Sequence, residues 1–191
     1  WVGGGMVPLP FLLNGVPQSR ERALRNLEWM FTRAQHDSGL FHVIQHKGKP
    51  IGDGFGKPGT DAWYMVRKQS DALYFLVKTF YALQARDEHW TLPSHWADGT
   101  ARLADRLSDT FLRFGELGQY LNCDTGDVVV GGSTAGALAP GGLALAGAFF
   151  SRNDWIQTAE ALANQLDEQF VRKGITTGGP GEILKCPDSE S

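Results

Sequence analysis

The chain has 191 residues, 42% hydrophobic and 20% charged, which is ordinary for a globular protein and excludes a disordered one. Its formal net charge is -3 and no run of Lys or Arg exceeds two, so it lacks the electrostatic footprint of a nucleic-acid binder. The 24 glycines exceed the roughly 7% of an average protein and announce long irregular loops, while six tryptophans suggest a surface for stacking sugar rings.

Residues 1–18 read as an irregular Gly/Pro-rich lead. Ala23, Leu24, Leu27, Met30, Phe31 and Ala34 then recur at spacings of three and four, the period of a first helix. It stops at His36-Asp37-Ser38-Gly39, where the glycine can take positive φ. A glycine-rich loop runs to about Tyr64. A second helix spans 65–86 on a stripe of Leu73, Leu76, Val77, Phe80 and Leu83. The short connection 87–94 leads to a third helix carrying Leu103, Leu107, Phe111 and Phe114. Another long loop, 115–132, contains Tyr120, Asn122, Asp124 and Asp127, with Val128–Val130 reading as a short strand. A fourth helix over 133–150 is rich in small residues and expected to bend at Pro140, since proline removes an interior hydrogen bond. Ser151 and Asp154 form an expected capping box for a fifth helix defined by Trp155, Ala159, Leu162, Leu166 and Phe170, ended by Gly174. The loop 175–187 leads into the start of a sixth.

Residues 128–150 hold no charge over a length that could cross a bilayer, but six glycines and Pro140 favour a tightly packed buried helix. Neither membrane nor nucleic acid is expected as a partner. Cys123 and Cys186 form no metal-ligand pattern and no disulfide framework, leaving the compartment undecided. The chain opens at Trp1 and stops just as a helix begins, so it reads as one partial domain cut at both ends.

The order helix, long loop, helix, short turn occurs three times. If consecutive helices are antiparallel, the three long loops emerge at one end, and that end is the functional face. The fold class expected is all-α, with short strands in the loops.

Further residues carry a resemblance. Trp29-Met30-Phe31 leads to Asp37-Ser38-Gly39-Leu40-Phe41; the run Arg67-Lys68-Gln69-Ser70-Asp71-Ala72-Leu73 follows. Then Gly179-Pro180-Gly181-Glu182-Ile183-Leu184 precedes Pro187-Asp188-Ser189-Glu190-Ser191. Across the whole chain this pattern resembles bacterial six-hairpin glycosidases. The resemblance implies an (α/α)6 toroid of twelve helices, of which this chain would be about half. It also implies a glycoside hydrolase, including enzymes acting on uronic acids, with lyases and epimerases on related toroids.

Glycoside hydrolysis needs two carboxyl groups flanking the bond. Asp71 is the first candidate, four residues after Arg67 on one side of the helix mouth, although a structural Arg67–Asp71 pair fits the same spacing. Glu182 lies between Gly-Pro-Gly and apolar Ile183 and Leu184, where partial burial would raise its pKa as a general acid requires. Asp188 is the third catalytic candidate, with helix capping as its simpler role. For substrate contact, Trp63 offers a stacking ring beside Tyr64, and Arg67 and Lys68 offer cations for a uronate carboxylate. His36, Asp37, Asp124 and Glu190 complete the polar groups expected to contact substrate.

Asp37-Ser38-Gly39 and Asp124-Thr125-Gly126 invite comparison with aspartic proteases, but those triplets follow apolar strands, and turn chemistry explains both here. His36, His42 and His46 lack a zinc spacing, and Asp53, Gly54 and Asp61 lack a calcium-loop pattern, so neither metal nor cofactor is expected. Hydrolysis of a glycosidic bond is the leading expectation. A polysaccharide lyase or sugar epimerase is the alternative, and a non-catalytic glycan-binding helical domain is a third.

Overall fold

The computed structural model describes residues 5–42, 44–54 and 58–174. Within them the protein is mostly helical, and its few strands are three residues long. The lead is more ordered than its glycines and prolines suggest. Pro8 starts a short helix, α1 (Pro8–Leu13), and Pro17 starts α2 (Pro17–Trp29), because the fixed φ of proline suits a first turn where no N–H partner is needed. α2 passes without interruption into a π-turn, Met30–Ala34, that buries Met30, Phe31 and Ala34.

Two long helices follow, α3 (Val66–Arg86) and α4 (Ser94–Phe114), close to the expected spans and joined by a short connection. The next element corrects an expectation. Pro140 bends no helix; it stands in the first turn of α5 (Ala139–Phe150), and residues 131–138 precede it as loop and turn. The uncharged stretch is therefore divided between a strand and a twelve-residue helix, and no described helix is long and apolar enough to cross a membrane. The capping box is also absent from α6 (Asn153–Gln169). Ser151 adopts a left-handed conformation that closes α5, and Asp154 is engaged by Arg152 instead of capping.

α3 packs against α1, α4 and α5, and α6 packs on α4 and α5. At the centre, Phe80 of α3 lies against Trp96 of α4 at 6.3 Å and Phe149 of α5 at 5.9 Å, while Trp96 stacks on Phe31 at 5.8 Å. The indole N–H of Trp96 donates to Glu28, as does the His95 ring, and these two bonds hold the Glu28 carboxyl below its ordinary pKa. Close approach of α4 to the π-turn requires Gly99, where a Cβ would stand 2.5 Å from the Phe31 ring and 2.6 Å from Gln35 Oε1. Alanine normally stabilises a helix interior relative to glycine. Here Gly99→Ala is expected to destabilise the protein by about 1–3 kcal/mol through overpacking, as measured by urea denaturation.

The long loops carry the strands. In the first, β1 (Ile44–His46) and β2 (Lys49–Ile51) form an antiparallel hairpin. β3 (Trp63–Met65), at the end of that loop, pairs with β4 (Tyr120–Asn122) of the second loop, and β4 pairs with β5 (Val128–Val130). The first two long loops thus meet at the N-terminal end of α3, as the alternation of long and short connections predicts. The third loop lies outside the described residues.

Candidate functional site

The meeting of these loops builds a polar cluster from segments distant in sequence. Residues 35–42 make a tight reversal after the π-turn, with Gly39 N–H donating to His36 O and His36 N–H to Leu40 O. Gln35 clamps it: its amide donates to Gly39 O at 2.8 Å and to Gly99 O at 2.7 Å, and accepts from Arg102. The reversal lies so close to α4 that only glycine fits at position 39, whose φ is +93° and whose Cβ would stand 2.5 Å from Arg102 O. Beyond the turn, Phe41 exchanges two hydrogen bonds with the buried Gln69 amide of α3, at 2.8 and 3.0 Å. The backbone carrying His36 and His42 is thereby tied to α3 and α4 together.

The second loop is held as firmly. Cys123 N–H donates to Ala62 O at 2.8 Å, continuing the β3–β4 seam. The Asn122 side chain accepts from the N–H groups of Asp124 and Thr125, at 2.9 and 3.1 Å. Turn chemistry therefore does explain both Asp-Ser/Thr-Gly triplets, but a residue ahead of each aspartate supplies it: the backbone and ring of His36, one position before Asp37, and the carboxamide of Asn122, two positions before Asp124. Arg106 of α4 joins the loops, donating to Ser38 O at 3.0 Å while its guanidinium lies against Gly126.

Between these walls stand His36, His42, Tyr64, Cys123 and Asp124. His36 Nε2 is 3.5 Å from Asp124 Oδ1, and its Nδ1 meets Ser38 Oγ at 3.0 Å. Cys123 Sγ is 3.6 Å from Asp124 Oδ1. The Tyr64 hydroxyl is hydrogen-bonded to His42 Nδ1, and the two imidazole rings meet edge to face at 5.5 Å. Burial, aided by the His36 charge, lowers the His42 pKa and favours a neutral ring. Burial and the neighbouring Cys123, Asp53 and Asp124 push the Tyr64 hydroxyl far up, so it keeps its proton and has an O–H to share with His42. The Cys123 thiol is pushed up to about 11, by burial first and by Asp124 next.

Trp63 packs on Tyr120 with ring centroids 5.6 Å apart and remains partly exposed. Asp37 and Arg67 are exposed. Lys68 does not present its charge to solvent: it is buried, 6% exposed, and its ammonium lies 2.5 Å from the fully buried Asp53 carboxylate. The other Asp53 oxygen accepts from Met65 N–H at 2.8 Å, at the start of α3. Asp71 lies one turn into α3 and is half-buried; burial raises its pKa and the field of Arg67 only partly offsets this. Among the described residues no Arg67–Asp71 ion pair forms within 4.0 Å. Glu182, Asp188 and Glu190 lie outside the described residues.

The fold thus brings His36 and Asp124 together and places His42, Tyr64 and Cys123 with them. Cys123 carried no signal in the sequence, because its partners come from another loop and no local spacing records that. The site and its scaffold define a mostly helical protein whose long loops are joined by a small antiparallel sheet. Comparison with family models, with curated proteins and with solved structures returned no match.

Proposed function

We propose that this chain is a glycoside hydrolase built on an α/α toroid, about half of an (α/α)6 barrel, and that it cleaves a glycosidic bond to a uronic acid with Asp71 as proton donor. The observation carrying this reading is the half-buried Asp71, whose carboxyl is raised by burial at the helix end where two long loops meet. A general acid must keep its proton near the working pH, and desolvation is the direct way to achieve that in an aspartate. Arg67, exposed one turn earlier, suits a uronate carboxylate, and Trp63, partly exposed in β3, offers part of a ring face. Glu182 and Asp188 are the candidates for the second carboxylate, with Asp124 at the same end of α3.

The test is release of reducing sugar from uronate-capped oligosaccharides. Asp71→Asn is expected to lower the rate by about 10²-fold or more, the usual share of a general acid. It should leave the melting temperature unchanged or raised, since a neutral amide replaces a partly desolvated carboxyl. The wild-type rate should fall as the pH rises through the Asp71 pKa, because only the protonated form donates. Full activity of Asp71→Asn would remove it from the scheme.

One observation favours a second reading, a polysaccharide lyase or sugar epimerase. The neutral His42 ring, hydrogen-bonded to the Tyr64 hydroxyl, sets a base beside a protonated phenol, residue types suited to moving a proton on and off a sugar carbon. An unsaturated or isomerised product, lost in Tyr64→Phe and retained in Asp71→Asn, would select this reading.

A further inference from the structure

We propose that His36, Cys123 and Asp124 form a zinc site, binding the ion through an imidazole nitrogen, a thiolate and a carboxylate oxygen, with a fourth position open to solvent. This goes beyond the hydrolase reading and does not depend on it.

One donor atom from each residue lies within 4.8 Å of the other two. Zinc bond lengths of about 2.0–2.1 Å to nitrogen or oxygen and about 2.3 Å to sulfur place tetrahedral ligands about 3.3 Å apart for N and O, and about 3.5 Å apart for S and O. The observed separations are 3.5 Å for His36 Nε2 to Asp124 Oδ1 and 3.6 Å for Cys123 Sγ to Asp124 Oδ1. The third separation, His36 to Cys123, lies within 4.8 Å, so a shift of about 1 Å closes the triangle on an ion. One thiolate and one carboxylate balance the dication, and the neutral imidazole completes a donor set of the borderline-soft kind that zinc prefers.

The surroundings suit the task. Cys123 is buried and fixed by its backbone bond to Ala62, while Asp124 is exposed and gives the ion an entry path. With zinc on Nε2, the His36 proton sits on Nδ1 and is donated to Ser38 Oγ, 3.0 Å away, orienting the ring in the usual manner of metal-bound histidines. The Ser38 N–H contact to Nδ1, at 3.1 Å, is given up in exchange. Binding releases the thiol proton to solvent and involves no redox change. Three protein ligands and an open position are the arrangement of zinc sites that polarise a bound water or substrate oxygen.

The experiment uses the full chain, stripped with chelator and titrated with Co²⁺ and then Zn²⁺. One equivalent of Co²⁺ should produce an intense thiolate-to-cobalt charge-transfer band in the near ultraviolet, and one equivalent of Zn²⁺ should abolish it by displacement. The band should be lost in Cys123→Ser, and cobalt binding should weaken by at least about 10-fold in His36→Gln and Asp124→Asn. Cys186→Ser should retain the band, which assigns it to the right thiol. His36 and Asp124 are accessible loop positions, so their variants report even if Cys123→Ser fails to fold. No band in the wild type, a band that follows Cys186, or undiminished binding in both His36→Gln and Asp124→Asn would overturn the site.

Discussion

Asp53→Ala is expected to cost about 3–5 kcal/mol of folding stability, the range for breaking a buried ion pair from one side. Asp53 is fully buried, and its two carboxylate oxygens serve different masters: one takes the Lys68 ammonium, the other the Met65 N–H that opens α3. Alanine removes the negative charge that balances a buried ammonium and the acceptor for a buried N–H together. Asp53→Asn keeps an acceptor for Met65 and is expected to cost less. The double variant Asp53→Leu with Lys68→Met removes both charges and should recover much of the loss, because two apolar groups need no solvation. Urea denaturation of the four proteins measures all of this. A cost below about 1 kcal/mol for Asp53→Ala would mean that solvent reaches the pair and screens it.

Phe80→Ala is the second large effect, at about 3–5 kcal/mol, the range for removing a buried phenyl ring. Phe80 is completely buried and touches rings from three directions: Trp90, Trp96 and Phe149. Trp96 in turn stacks on Phe31 of the π-turn, which leads directly into the reversal carrying His36. A cavity at Phe80 therefore loosens the support beneath the first long loop as well as the helix packing. Phe80→Leu retains most of the volume and should cost about 1–2 kcal/mol. Near-equal melting temperatures for Phe80→Ala and wild type would contradict the central place assigned to this ring.

The helices were legible because their apolar residues keep a strict spacing. The stripe Leu73, Leu76, Val77, Phe80 and Leu83 is buried throughout, and α3 and α4 start and stop within a few residues of the expected positions. Proline was harder to read, since the same residue starts a helix or breaks one. At Pro8, Pro17 and Pro140 it starts one, and only the tertiary fold decides. Lys68 looked like a surface cation because its partner, Asp53, stands in a separate loop with no periodic relation to it. The cluster of His36, His42, Tyr64, Cys123 and Asp124 was half visible for the same reason. Each loop was recognised as functional ground, but the seam that brings them face to face is a non-local pairing, which local pattern does not encode.

That seam also sets how the chain tolerates insertion and deletion. β3, β4 and β5 are three residues each, too short to fix their own alignment, and flanking bonds from Cys123 N–H to Ala62 O and from Val66 N–H to Gln119 O pin the frame. Side chains alternate across a strand, so a slip of one position would exchange the two faces of β4 and carry Cys123 away from Tyr64. Cys123 and Asp124 themselves open the β4–β5 turn, so length changes there, though it lies on the surface, displace the site directly. Among the described residues the β1–β2 hairpin pairs only with itself, and it can lengthen or shorten without that consequence.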